Sequence, residues 1–228
     1  HDAGILHTQE RIHQLGSGTV IWRLCAALCF WATAAWAETT NFPALYDVSG
    51  VASDDVLNIR SAPEASSDII ATLQHDAKDI EVVGTDDASK WAIVNAGEQA
   101  GWVSLAYLRL IPDAMWTNMS SPLACYGTEP FWDVMLTPRA PSTLTLNADA
   151  YGPMIPVWES GAWGNPLRMI LRHDIPNGEI ISYIEAESCN DGMSDREFGL
   201  SLRMIIGGSE GSMRDDAVLR GCCSIAER

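Results

Sequence analysis

The chain has 228 residues, is 47% hydrophobic and carries a formal net charge of −16. That length suits one large domain or two small ones. The acidic balance argues against nucleic-acid binding, which rewards basic surfaces through counterion release. It also argues against electrostatic docking onto anionic lipid. We therefore expect a globular protein whose partners are neither nucleic acid nor an anionic membrane surface.

The first 37 residues have the layout of a secretory signal peptide. Basic residues precede an apolar run at residues 24–35, and Ala35-Trp36-Ala37 supplies the small-x-small cleavage pattern. A membrane span needs about 20 apolar residues, so we expect cleavage and no stable membrane insertion afterwards. Because the chain opens on His1 instead of Met, residues before about 18 are expected to precede the native start. The exported chain is then predicted to be periplasmic or secreted, in a bacterium.

Four cysteines follow the predicted signal peptide: Cys125, Cys189, Cys222 and Cys223. Disulfides persist in exported proteins, and four cysteines allow three connectivities. A Cys222–Cys223 bond would close a strained ring, because a trans peptide holds their Cα atoms about 3.8 Å apart. We therefore expect Cys125 and Cys189 each to bond one member of the adjacent pair, with the choice left open. Adjacent strand residues point to opposite faces, so one bridge should lie inside and one outside.

Residues 46–110 alternate apolar and polar side chains in short runs between turn residues, as half-buried strands do. The runs LNIRSAP at 57–63, IIATL at 69–73, KWAIV at 90–94 and GWVSLAYL at 101–108 resemble a bacterial SH3 domain in order and spacing. Ala62 stands where that family usually has glycine. The resemblance implies a barrel of five to six strands that commonly binds cell wall or protein. Asn58 and Arg60 are predicted to lie on the face of their strand opposite Leu57 and Ile59, and their role as core or ligand contacts is left open.

Residues 111–122 contain two prolines without alternation and are predicted to be a linker. From residue 123 to 228, many short strands without a helical period favour a closed barrel or a sandwich. Pro153 and Pro156 should confine residues 151–157 to an edge strand. The predicted fold class is therefore all-β: a small SH3-type barrel followed by a disulfide-stapled β-barrel or sandwich.

Three motifs mark the second domain: CYGTEPFW at 125–132, CNDGMSDR at 189–196 and LRGCC at 219–223. Together they are similar to a family of uncharacterised exported bacterial proteins, over about residues 123–223. That family has no assigned reaction, so the resemblance implies no mechanism.

The most suggestive stretch is the polar segment, residues 189–199. Asp191 and Asp195 flank a glycine turn and would pair as acid and base if their environments differed. Alternatively, they would bind a hard cation together with Glu129 and Glu197. The spacing lacks the regular ligands and distal glutamate of a calcium loop, so no metal or cofactor is predicted. The structural alternative is a stapled turn in which Asp191 caps amides, Gly192 takes positive φ and Arg196 pairs with an acid. The disulfides are expected to gather these acids and Arg196 at one end of the barrel.

An aromatic set that includes Trp132, Trp158 and Trp163 completes the candidates. Residues 158–164 are expected to form an exposed loop, where aromatics stack on sugars or fill a partner's pocket. Packing at the barrel mouth is the structural alternative.

The predicted function is an exported, non-catalytic binding protein. Its SH3-type domain would tether it to peptidoglycan or an envelope protein, and the second domain would act as a recognition barrel. The predicted binding residues are Glu129, Trp132, Asp191, Asp195 and Arg196. The alternative is an envelope hydrolase that uses Glu129, Asp191 and Asp195.

Overall fold

The computed structural model describes residues 41–162, 165–208 and 217–225, and the predicted signal peptide lies outside these ranges. The described residues form sixteen strands and two short 3-10 turns, at Leu105–Tyr107 and Trp116–Asn118, which confirms the all-β prediction. The strands are β1 (Ala44–Val48), β2 (Val56–Arg60), β3 (Ile69–Gln74), β4 (Ile80–Val82), β5 (Gly84–Thr85), β6 (Trp91–Ala96), β7 (Gln99–Ser104), β8 (Leu108–Met115), β9 (Leu123–Thr128), β10 (Phe131–Leu136), β11 (Ser142–Leu146), β12 (Asp149–Ala162), β13 (Asn165–Ile175), β14 (Gly178–Cys189), β15 (Phe198–Gly208) and β16 (Ala217–Ile225). Within the described ranges, no helix is long and apolar enough to cross a membrane.

Strands β1–β8 form two sheets, which we call the N-terminal sheets. One has the order β4-β1-β8 and the other β3-β2-β7-β6-β5. They enclose one hydrophobic core, built from Ala44, Tyr46, Val48, Leu57, Ile59, Val82, Ala92, Val94 and Val103. Strand β1 begins before residue 46, where the predicted alternation starts, and four of its five residues are buried. A strand covered on both faces loses the apolar–polar alternation that identifies half-buried strands.

The stretch predicted as a linker carries regular structure. Residues 111–115 belong to β8, and the turn Trp116–Asn118 follows directly. Ala114 and Trp116 are buried in the core of the following barrel, which also receives Leu45 from β1. The described residues accordingly all belong to one compact unit.

Strands β9–β16 form a closed barrel with the order β10-β11-β12-β13-β14-β15-β16-β9, which confirms the prediction of a disulfide-stapled barrel. In the closed barrel, β12 pairs with β11 on one side and with β13 on the other. Strand β12 is therefore not the edge strand that Pro153 and Pro156 predict. Register shifts between Ser142 and Leu144 and between Pro156 and Trp158 lie beside those prolines. Bulges of this kind accommodate residues that lack an N–H donor.

The two disulfides are Cys125–Cys223 and Cys189–Cys222. Cys125 and Cys223 are directly opposite each other in the β9–β16 pairing and lie in the barrel core. Cys222, one residue earlier on β16, points to the outer face and bonds Cys189 at the end of β14. The expected arrangement of one inner and one outer bridge is confirmed, and the pairing that the sequence leaves open is decided. Both bonds fit a chain that folds in an oxidising compartment.

Candidate functional site: a cleft beside the polar segment

The Asp191 carboxylate holds the polar segment in a tight turn. Its Oδ1 accepts hydrogen bonds from the amides of Met193 and Ser194, both at 2.9 Å, and its Oδ2 accepts one from the Ser194 hydroxyl at 2.8 Å. Gly192 has φ of +73°, a conformation that glycine adopts without strain. Burial alone would raise the pKa of Asp191, but these hydrogen bonds hold that pKa below its usual value. In this geometry Asp191 caps backbone amides and Gly192 takes positive φ, as the structural alternative of a stapled turn predicts.

The polar segment also joins the barrel to the N-terminal sheets. The Asp195 amide donates to the Glu98 carbonyl at 2.9 Å, and the Ala100 amide donates to the Asp195 carbonyl at 2.8 Å. These bonds form a parallel bridge between Gln99 and Asp195, at the turn between β6 and β7. The Asp195 side chain itself is exposed. The segment therefore contributes its backbone to a joint between the two halves of the fold.

Arg196 lies over an aromatic ring and makes no ion pair within the described residues, unlike the expected pairing with an acid. Its guanidinium carbon is 5.1 Å from the centroid of the Phe198 ring, and Tyr126 meets the same ring edge-on at 5.4 Å. The Arg196 Nε is buried without a hydrogen-bond partner. A cation over an aromatic face gains electrostatic attraction from the ring's negative quadrupole. Packing on Phe198 thus fixes the position of the charge.

Trp132 fills the barrel interior next to the polar segment. A Cβ added to Gly127 or to Gly221 would collide with its indole, so both glycines leave room for the ring. The indole Nε1 donates to the Arg220 carbonyl at 3.2 Å. A buried tryptophan that satisfies its N–H and occupies a glycine-lined space packs the core first. Trp132 is 3% exposed, so little of this ring is available to a ligand.

A cleft of about 640 Å³ opens beside these groups. Of the five predicted binding residues, Trp132, Asp191 and Arg196 line it, whereas Glu129 and Asp195 are exposed and lie outside its lining. Thr128, next to Glu129, connects the β9–β10 turn to the polar segment through a 3.2 Å hydrogen bond to the Asp191 carbonyl. The remaining lining residues are Glu98, Tyr126, Gly127, Thr128, Phe131, Asp133, Thr145, Ala148, Met193 and Ser194.

Two apolar side chains at this cleft are not among the predicted binding residues. Phe131 is 61% exposed and Met193 is 70% exposed, although both lie inside the motifs quoted above. Their signal is present in the sequence, since each is a large apolar residue in a turn or at a strand end. Exposed apolar side chains that share a cleft commonly mark a binding surface. Aromatic and methionine side chains are also enriched at protein interfaces.

A second groove, of about 390 Å³, lies on the N-terminal sheets. Trp91 and Tyr107 contribute aromatic walls, and Tyr107 is 43% exposed. The groove also contains one acidic, one neutral and one basic polar group, from Asp55, Asn58 and Arg60. Arg60 is fixed by an Nη1 hydrogen bond to the Ser67 carbonyl at 2.7 Å. The groove thus combines aromatic faces with ordered polar groups, as carbohydrate and peptide sites do.

Within the described ranges, no group of three or more His, Cys, Asp or Glu side chains is arranged to hold a metal ion. The fold and its bridges define a disulfide-stapled all-β protein with a closed eight-stranded barrel. No family model, no curated protein and no solved structure matches this chain.

Proposed function

We propose that this protein is an exported, periplasmic or secreted, non-catalytic binding protein of a bacterial envelope. The observation that carries the proposal is the cleft beside the polar segment, where Phe131 and Met193 expose apolar surface around Arg196. The polar groups of Asp191 are occupied in holding the turn, so the cleft presents a fixed surface. Fixed apolar anchors surrounded by polar groups are typical of recognition sites.

The groove on the N-terminal sheets supports a second contact, with peptidoglycan or an envelope protein. The resemblance of residues 46–110 to a bacterial SH3 domain suggests the same role. Trp91 and Tyr107 would stack on sugar or peptide, and Asp55, Asn58 and Arg60 would bind its polar groups. Two contacts on one chain raise the effective concentration of the second ligand once the first is bound. The N-terminal sheets would then act as the tether and the barrel as the recognition module.

The hydrolase alternative has less support from the geometry. A general acid and base must reach one substrate from a shared pocket. Asp191 lines the cleft, but Glu129 and Asp195 do not. The pKa of Asp191 is also lowered, which is unsuited to a general acid near neutral pH.

Co-sedimentation with purified peptidoglycan sacculi tests the tether. We expect the full-length chain to sediment with sacculi, and Tyr107→Ala to weaken that binding at least threefold. Phe131→Ala is the matched control, because it also removes one exposed aromatic ring but at the barrel cleft. Absence of sedimentation by the unmodified protein would refute the wall tether. Loss in Phe131→Ala with retention in Tyr107→Ala would instead move the wall site to the barrel.

A further inference from the structure

A separate cavity of about 310 Å³ opens at the mouth of the barrel. The β10–β11 turn forms one wall through Thr137, Pro138 and Arg139, and the bulged part of β12 forms another. Leu136, Leu171 and Met119 supply apolar surface from the barrel core. None of its lining residues belongs to the cleft or the groove described above.

His173 is the unusual member of this lining. It is only 4% exposed, and its inward-facing neighbours on β13 are Met169 and Leu171. Its Nδ1 is buried without a hydrogen-bond partner in the described structure. Burial lowers the pKa of His173, so the ring is neutral at pH 7 and each of its nitrogens is either a donor or an acceptor. Buried polar atoms in folded proteins are nearly always paired, with protein, water or ligand.

The side chains that line this cavity limit the kind of ligand that would pair with the His173 ring. A charged group beside a neutral, buried imidazole would lose its hydration without gaining an opposite charge. Nearer the solvent, Arg139 and Glu159 supply one charge of each sign, and neither forms an ion pair within the described residues. A ligand with a net charge would therefore meet both attraction and repulsion at the rim. Trp158, 44% exposed, adds a flat apolar wall.

We propose that this cavity binds a small, uncharged amphipathic molecule. One hydroxyl or carbonyl group would be hydrogen-bonded to the His173 imidazole, and an apolar body would pack against Leu136, Leu171 and Trp158. Eight-stranded barrels are of the size that encloses one small ligand. The proposal does not depend on the proposed function, because neither the groove nor the cleft shares residues with this site. It also assigns Trp158 to a ligand wall at the barrel mouth. Trp158 lies in β12 and not in the exposed loop expected for residues 158–164, of which residues 163–164 lie outside the described ranges.

Two matched probes test the hydrogen bond: 4-propylphenol, which has a hydroxyl group, and propylbenzene, which lacks it. Long-range ¹H–¹⁵N spectra of the histidine-labelled protein report on His173 directly, with His75 in the turn after β3 as an internal reference. We expect 4-propylphenol to shift the His173 signals saturably and to bind about three- to tenfold more tightly than propylbenzene. The His75 signals should stay fixed. Absence of a saturable shift at His173 would mean that the cavity holds only solvent, and would overturn the proposal.

Two variants separate the histidine from the rest of the core. His173→Phe should bind both probes equally well, because the ring volume is kept and the polar nitrogen is removed. Ser182→Ala is the control, since Ser182 is fully buried in the barrel with an unpartnered hydroxyl but does not line the cavity. It should keep the preference for the phenol. Retention of the preference for the phenol in His173→Phe would refute the assignment to His173, and so would loss of that preference in Ser182→Ala. If His173→Phe does not fold, the spectra of the unmodified protein decide between the outcomes.

Discussion

Asn95 and Glu197 lie 102 positions apart in the chain and exchange two hydrogen bonds. The Asn95 Nδ2 donates to the Glu197 carbonyl at 2.9 Å, and the Glu197 amide donates to the Asn95 Oδ1 at 3.1 Å. One side-chain amide thus satisfies both backbone groups of a residue that leads from the polar segment into β15. Together with the Gln99–Asp195 bridge, this pair holds the barrel against the β6–β7 hairpin.

Asn95→Ala should therefore weaken the whole fold. It leaves the N–H and C=O of Glu197 without their partner, and an unsatisfied buried group costs about 1–3 kcal/mol. We expect a loss of that size in the free energy of unfolding, measured by urea titration. Asn58→Ala is the matched control, because the Asn58 side chain makes no hydrogen bond within the described residues although its backbone is paired in β2. It should change stability by less than about 0.5 kcal/mol. Equal effects of the two substitutions would contradict the importance of the joint.

Glu81 should make stability depend on pH. Its carboxylate accepts a hydrogen bond from the Ile225 amide at 2.7 Å. Although the residue keeps some exposure, its carboxyl is enclosed by protein, and this burial raises its pKa from 4.5 to about 7 against the opposing effects of the Ile225 amide and the Arg196 charge. Between these two pH values the folded chain holds a proton that the unfolded chain has released. The Glu81 contribution to stability therefore falls as pH rises through that window, and stays low above pH 7.

Glu81→Gln removes this titration while keeping an oxygen for the Ile225 amide. We expect the variant to match the unmodified protein near pH 4.5 and to exceed its free energy of unfolding above pH 7 by up to about 3 kcal/mol. Urea unfolding across this pH range measures the difference. Glu64→Gln, on the exposed turn after β2, is the control for replacing one surface carboxylate and should leave the free energy of unfolding unchanged. A stability difference that is independent of pH would exclude Glu81 as the cause.

The two disulfides should differ in their contributions to stability. Cys125–Cys223 closes a separation of 98 residues and Cys189–Cys222 one of 33. Each bridge restricts the unfolded chain, so replacing both of its cysteines with alanine should lower the free energy of unfolding. The expected decrease is about 5 kcal/mol for Cys125–Cys223 and about 4 kcal/mol for Cys189–Cys222. Replacing the inner pair also leaves a void in the barrel core, which increases the difference in stability between the two variants. Urea unfolding of the two double variants provides the comparison, and a larger loss for the outer pair would contradict this ranking.

Gly221→Ala should be among the more damaging glycine substitutions. The added Cβ would collide with the Tyr126 carbonyl oxygen and lie 2.6 Å from the Trp132 ring. Overpacking of this kind costs about 1–3 kcal/mol, or more where backbone must move. Gly207→Ala is the control, because its Cβ would meet no atom closer than 3.8 Å. Thermal unfolding should show a lower Tm for the first variant and an unchanged or slightly higher Tm for the second.

Some features of this protein follow from local rules and were therefore predictable. Apolar residues such as Leu57 and Ile59 alternate with polar residues, and this alternation indicates a half-buried strand wherever the strand lies in the fold. The adjacency of Cys222 and Cys223 excludes a bond between them and separates the two bridges, because peptide geometry and strand pleating do not depend on the fold. The turn around Asp191 and Gly192 is equally local, since every hydrogen bond to that carboxylate spans three residues or fewer.

Other features required the tertiary structure. Strand β1 is hidden from pattern analysis because both of its faces are buried, and β12 loses its edge only when the barrel closes. Contacts between segments that are distant in sequence bring Phe131 and Met193 to one cleft and bury His173 Nδ1 without a hydrogen-bond partner among the described residues.

By itself, the sequence determined an all-β chain, its four bridging cysteines and the stapled turn of residues 191–194. Only the tertiary structure decided which cysteines pair, that the polar segment joins the barrel to the N-terminal sheets, and which side chains share a cavity. The physical reason is that strand patterns and turns arise from neighbouring residues. Pairing, burial and cavities arise from contacts such as Asn95 with Glu197, which exist only after the chain has closed on itself.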